Sequence, residues 1–201
     1  MIGIGSARVS KPRILVFAGS IRTGSINEKL AVRAVDTITD AGGDVTHISL
    51  ADYPMPIYNG DLEKAEGVPE SAKRLAELFT EHQGIFIVAP EYNGGITPLL
   101  KNTIDWVSRS GATDRKPGPY KGRVFALGGV SDGGFGGYRG LLQLRHTLQN
   151  ALGTLMVPEM VSVPAASSAF DEAGNLVAER PAAMLKTVSE RLVEMARTFA
   201  A

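Results

Sequence analysis

Cysteine does not occur in this chain, which excludes disulfides, thiolate nucleophiles and thiolate metal ligands together. Histidine is nearly as scarce: His47, His82 and His146 stand far apart in sequence, so no metal site is expected. Net charge is absent as well. The 21 Lys and Arg balance the 21 Asp and Glu, so the chain shows no basic footprint for nucleic acid and no attraction to anionic lipid. No apolar run approaches the roughly 18 residues of a membrane span. Met1 to Ser6 lack the basic and apolar regions of a signal peptide, and the expected location is cytoplasmic. Small, locally bound partners remain. The 201 residues, 44% of them hydrophobic, suit one compact core, with residues 1–12 as a short tail and 13–201 as a single domain.

What is present is an alternation. Apolar runs predict strands at Arg13–Ala18, Asp44–Leu50, Gly84–Ala89, Arg123–Gly128 and Leu155–Val163. Several have no polar face, as expected of strands covered on both sides. Helical patterns fall between them, at about 27–41, 69–82, 98–110 and 138–152, with a last one at about 181–199. Local signals agree: Ser25 and Glu28 have capping-box spacing, Gly42-Gly43 stops a helix, and Thr97-Pro98 reads as a cap followed by proline at the first helical position. The fold class is α/β, a parallel sheet with helices on both faces. The proline- and glycine-rich segments 52–67 and 111–122 read as loops.

Three loops on the carboxyl edge of that sheet carry unusual chemistry. The first is Gly19-Ser20-Ile21-Arg22-Thr23-Gly24-Ser25-Ile26-Asn27. Its hydroxyls, amide, guanidinium and backbone N–H groups meet a helix N-terminus, which reads as a cradle for an anion. It is neither a Walker loop, lacking Gly-Lys-Ser/Thr, nor a dinucleotide fingerprint, having only Gly19 and Gly24. A terminal monophosphate suits it, with Arg22 as a fork donor. An ordinary capped turn is the simpler reading. The second loop, Pro90-Glu91-Tyr92-Asn93-Gly94-Gly95, lets the backbone approach a flat ligand, with Tyr92 either along a ring system or packed as a lid. In the helix that follows, Trp106 reads as packing. The third, Gly128 to Gly137, contains Gly129-Val130-Ser131-Asp132-Gly133, the pattern of a hydrolase nucleophile elbow. That motif needs an acid and then a histidine downstream. The only later histidine is His146, and the only acid between is Asp132 itself, so the triad does not assemble in that order.

Gly19-Ser20-Ile21-Arg22 with Ser25 and Asn27, then Pro90-Glu91-Tyr92-Asn93 with Pro98-x-x-Lys101-Asn102-x-x-Asp105-Trp106, resemble the NADPH-dependent FMN reductase family. The similarity runs from about Arg13 to Val163 and includes Ser131, Gly136-Gly137 and Leu144-Arg145. It implies a flavodoxin-like sheet of order 2-1-3-4-5, noncovalent FMN, and hydride passed from NADPH or NADH to flavin and on to a quinone, flavin, azo dye or metal oxyanion. Carried over, Ser20, Arg22, Ser25 and Asn27 take the FMN phosphate. Pro90, Glu91, Tyr92, Asn93 and Gly94 line the isoalloxazine and ribityl chain, and Ser131 and Gly133 close the other side. No catalytic side chain is expected, since the flavin carries the chemistry. The resemblance also implies a homodimer or homotetramer. The alternative is a flavodoxin-like electron carrier, which the neutral charge and a basic Arg22 disfavour. Arg115, Lys116 and Arg139 are basic enough to meet a ribose phosphate, yet read as solvated surface.

Overall fold

The computed structural model describes residues 11–110 and 118–199. Five parallel strands form the central sheet: β1 (Arg13–Ala18), β2 (Asp44–His47), β3 (Gly84–Val88), β6 (Val124–Val130) and β7 (Leu155–Val163), in the order β2-β1-β3-β6-β7. Counting only these strands, the order is 2-1-3-4-5, as expected for a flavodoxin-like sheet. Two short strands, β4 (Glu91–Tyr92) and β5 (Gly95–Ile96), pair antiparallel outside it.

The inner strands alternate between two cores. Ile14, Val16, Phe86, Val88, Val124 and Ala126 meet α1 (Ile26–Asp40) and α7 (Glu179–Phe199). Leu15, Phe17, Ile85, Ile87, Phe125 and Leu127 meet α3 (Glu70–Glu81), α4 (Pro98–Ser108) and α5 (Tyr138–His146) on the opposite face. Every residue of β3 is buried, which is why that run shows no polar alternation.

Several boundaries differ from the expectation. β2 ends at His47 rather than Leu50, because Ser49 Oγ accepts the Ala51 N–H at 3.2 Å and starts the 3-10 turn Leu50–Asp52. The segment 52–67, read as loop, contains α2 (Gly60–Glu66), capped by Asn59 and ended by Gly67 at φ 80°. None of its side chains is buried, so it carries no apolar stripe for periodicity to detect. The helix expected over 138–152 is α-helical only to His146 and loosens into a π turn over Thr147–Ala151. A short helix, α6 (Ala166–Ala169), follows β7. The tail to residue 10, and Arg115 and Lys116, lie outside the described residues.

Register places the loops. Ala18 pairs Val88, and Val88 pairs Gly128, so β1, β3 and β6 end side by side. The chain moves outward from β1 to β2 and then returns to β3 on the other side. The crevice between the loops after β1 and β3 is therefore the topological switch point.

Candidate functional site

The loop leaving β1 is held at its base. Gly19 N–H bonds the Val88 carbonyl at 2.8 Å, and Thr97 Oγ1 donates to the Gly19 carbonyl at 2.9 Å. A Cβ on Gly19 would stand 3.0 Å from the Leu100 side chain, so glycine lets the chain pass close to α4 without displacing that leucine. Beyond it, Arg22 N–H bonds Ser20 Oγ at 3.3 Å and Ser25 N–H bonds the Arg22 carbonyl at 3.0 Å. Among the described residues, the N–H groups of Ser20, Ile21, Thr23, Gly24, Ile26 and Asn27 have no acceptor. Ser25 is the N-cap of α1 but makes no side-chain cap bond. The capping-box partner Glu28 instead lies 3.0 Å from His47 Nε2. A groove of about 380 Å³ opens here, lined by Ser20, Arg22, Thr23, Ser25, Lys29 and Ser49. Exposed Arg22 forms no ion pair among the described residues.

Unpaired donors at a helix N-terminus beside a free guanidinium make a cradle with the chemistry of a phosphate site. FMN fits this set, because a phosphomonoester offers a charge of nearly two and several acceptor oxygens to donors that otherwise lack them.

After β3, buried Pro90 leads into the β4–β5 hairpin. Asn93 (φ 53°) and Gly94 (φ 79°) occupy its two turn positions. Both are left-handed, the geometry of a type I′ hairpin turn and the reason for an Asn-Gly pair. The hairpin projects Tyr92, which is 57% exposed, beyond the sheet edge. Tyr92 is thus not packed as a core lid.

After β6, the third loop is held to the end of β7. Ser131 N–H bonds the Val163 carbonyl at 3.1 Å, and Ser162 Oγ donates to the Phe135 carbonyl at 2.7 Å. Ser131 Oγ accepts the Gly133 N–H at 3.2 Å. The nucleophile reading fails on geometry as well as on order. His146 is exposed at the far end of α5, His82 Nε2 faces Thr46 Oγ1, and His47 faces Glu28, so no histidine reaches Ser131.

Side chains couple the three loops. Asn27, 4% exposed, donates through Nδ2 to the Val130 carbonyl at 3.2 Å and accepts the Val130 N–H on Oδ1 at 3.0 Å. The Glu91 carboxylate, 7% exposed, accepts from Arg139 at 2.6 and 2.9 Å and from the Gly140 N–H at 3.2 Å. Asn27 and Glu91, both expected to face the ligand, thus direct these polar atoms to the chain itself. Arg139 is paired rather than free surface. The two roles of Thr97, capping α4 at 3.2 Å through the Leu100 N–H and tying down Gly19, are only half visible in sequence. The Thr97-Pro98 pair signals the cap; the link to a residue far back in the chain has no local signal. Among the described residues no group of three or more His, Asp or Glu is placed to hold a metal ion.

Comparison with known proteins agrees with this arrangement. The family described as NADPH-dependent FMN reductase matches residues 12–168. An NAD(P)H-dependent FMN reductase of Pseudomonas aeruginosa is 33% identical over 170 residues, covering 84% of this chain and 86% of that one. A quinone reductase of Escherichia coli is 36% identical over 139 residues, 69% of this chain and 70% of its own. Among solved structures, the flavoenzyme NAD(P)H:(acceptor) oxidoreductase of Paracoccus denitrificans superposes with a TM-score of 0.75 at 27% identity, covering 94% of this chain and 98% of the other. With a cradle after β1, a hairpin after β3 and a glycine-rich wall after β6, and with a family match running through all three, the chain belongs to the NADPH-dependent FMN reductase family.

Proposed function

We propose that this protein binds FMN noncovalently across the three loops and oxidises NADPH or NADH at the expense of a small acceptor of the quinone class. The net reaction is NAD(P)H + H⁺ + quinone → NAD(P)⁺ + hydroquinone. The observation that carries the reading is the set of six N–H donors without acceptors, those of Ser20, Ile21, Thr23, Gly24, Ile26 and Asn27, beside the Ser20, Thr23 and Ser25 hydroxyls and the Arg22 guanidinium, which has no ion-pair partner among the described residues. A helix N-terminus leaves its first N–H groups without intrahelical acceptors in any case; here the loop N–H groups of Ser20, Ile21, Thr23 and Gly24 add to those of Ile26 and Asn27.

Bound FMN supplies the hydride chemistry. The residues supply position. Ser20, Arg22 and Ser25 hold the phosphate. The hairpin of Tyr92, Asn93 and Gly94 follows one side of the ring system, over buried Pro90, and Ser131 with Gly133 bounds the other. Asn27 and Glu91 fix these walls relative to one another. Donor and acceptor take the same open face in turn, which gives ping-pong kinetics. No side chain is asked to move a proton, in keeping with a wall built of glycines, hydroxyls and backbone.

We also propose assembly as a homodimer or homotetramer; Ile57, 75% exposed, and Leu142, 46% exposed, are apolar surface such a contact would cover. We also propose a cytoplasmic location; among the described residues no helix is long and apolar enough to cross a membrane.

The test is the visible absorbance of the protein after incubation with FMN and removal of the excess. The expected result is a bound-flavin spectrum that bleaches when NADPH is added without oxygen and returns when a quinone follows. Absence of flavin uptake would refute the reading. Uptake without bleaching by either nicotinamide would leave an electron carrier in its place.

A further inference from the structure

Phe135 is 62% exposed, yet its surroundings are unusually well fixed for an exposed loop residue. Its carbonyl accepts Ser162 Oγ at 2.7 Å and the Tyr138 N–H at 2.9 Å. The next residue, Gly136, has φ 55°, and a Cβ there would stand 2.5 Å from the Pro164 nitrogen. The loop therefore rests directly on the end of β7, and only glycine permits it. The guanidinium of Arg139 lies 5.0 Å from the Phe135 ring centroid. That guanidinium is itself held by Glu91, whose other oxygen accepts the Gly140 N–H. One face of the ring is thus supported through a chain of contacts that begins in the hairpin of Tyr92. Phe135 also lies two residues beyond Gly133, in the loop proposed above to bound the flavin.

An exposed phenyl ring gains nothing from water, and ordering it in advance lowers the entropy lost when a flat molecule settles on it. From these contacts we propose that Phe135 is the aromatic platform of the acceptor site and makes the enzyme favour flat, ring-bearing acceptors over compact inorganic ones. Arg139 and Glu91 act as positioning residues behind it. This inference rests on the flavoenzyme reading above; nothing in it changes the net reaction, and the electrons come from NAD(P)H.

The experiment compares kcat/KM for menadione, a flat naphthoquinone, with kcat/KM for ferricyanide, which has no ring to stack. It uses the FMN-loaded protein, with rates expressed per bound flavin. Phe135→Ala should lower the menadione-to-ferricyanide ratio by about tenfold, the size of one lost aromatic contact, mainly through KM. Phe135→Trp should restore the ratio to within about twofold, since a larger ring stacks as well. Arg139→Ala should lower it in the same direction but less. An unchanged ratio in Phe135→Ala overturns the proposal. So does a shift in oligomeric state at constant ratio, which would make Phe135 an assembly contact. If the unaltered protein binds no FMN or is not reduced by NADPH, the flavoenzyme reading falls and takes the platform with it. If it turns over normally and the variants match it, only the platform falls.

Discussion

Arg22, Asn27 and His82 show how differently three polar residues can serve one fold. Arg22 is exposed and unpaired among the described residues, so its replacement costs the fold little and the ligand much. Arg22→Ala should weaken FMN affinity by about ten- to a hundredfold, the worth of a charge-assisted bond to phosphate, with melting temperature of the flavin-free protein nearly constant; fluorescence titration with FMN measures it. Asn27 has the opposite balance. Its amide closes two hydrogen bonds on the 2%-exposed Val130, as a neighbouring strand would. Asn27→Leu leaves both backbone groups unpaired and should destabilise the protein by about 1–3 kcal/mol, read by urea unfolding. Asn27→Asp keeps the acceptor but sets a carboxylate against the Val130 carbonyl, so part of the lost stability should return as the pH falls and the carboxyl protonates.

His82 is 1% exposed, between the Leu78 carbonyl at 2.6 Å and Thr46 Oγ1 at 2.8 Å. Burial lowers its pKa below the ordinary 6.5. The unfolded chain therefore binds a proton more readily than the folded one. The contribution is intact above about pH 6.5 and is lost as the pH falls below it, at no more than about 1.4 kcal/mol per pH unit. Replacing His82 by Gln should flatten the stability profile below about pH 6.5, measured as urea midpoints at a series of pH values.

Among the elements, the β4–β5 hairpin is the most demanding in backbone geometry. Its two turn residues both have positive φ, and a β-branched side chain in that region costs about 1–2 kcal/mol. Gly94→Val should therefore distort the hairpin while leaving the phosphate cradle whole. The expected outcome is weaker binding of riboflavin and FMN alike by about tenfold, at little cost to global stability. A loss confined to FMN would place the hairpin at the phosphate instead.

Helix α4 explains a motif that resemblance alone left unexplained. Asn102 donates to the Pro56 carbonyl at 2.9 Å and accepts the Tyr58 N–H at 2.8 Å, and Trp106 Nε1 donates to the same Pro56 carbonyl at 2.7 Å. Farther along, Arg109 pairs with Glu63, which also accepts the Tyr58 hydroxyl at 2.9 Å. These donors hold the Glu63 carboxyl below its ordinary 4.5. The segment from Pro56 to α2 thus lies along α4 as a strap. Trp106 is core packing, as its helical spacing suggests, and the indole N–H also anchors that strap.

Across the whole molecule, both cores share one sheet, so neither half of the structure can lose its packing alone. Residues 13–201 should unfold as a single cooperative unit, with near-UV and far-UV signals changing together. Phe86, fully buried at the centre of β3 and in the core with Leu30 and Val88, tests this. Phe86→Ala should lower stability by about 3–5 kcal/mol and move both signals equally; two separated transitions would show a second folding unit.

The alternation of elements, the two-sided burial of β1, β3 and β6, and the polar cluster between β1 and α1 are all legible in the chain itself. Each of these is written locally, in apolar runs or in a cluster of small polar residues at a strand-to-helix turn. The Gly94-Gly95 pair reads in sequence as backbone open to a flat ligand, whereas the two-residue hairpin turn of Asn93 and Gly94 follows only from the pairing of β4 with β5. Tertiary structure alone decided where the polar side chains of the site point. Asn27 reaches Val130 and Glu91 reaches Arg139 across 103 and 48 residues of chain. No local pattern encodes such partners, because they meet only where strand register brings the ends of β1, β3 and β6 together. The short exposed helix α2 and the strap escaped for a related reason: their stability comes from caps and from hydrogen bonds to α4, not from an apolar face that periodicity could reveal.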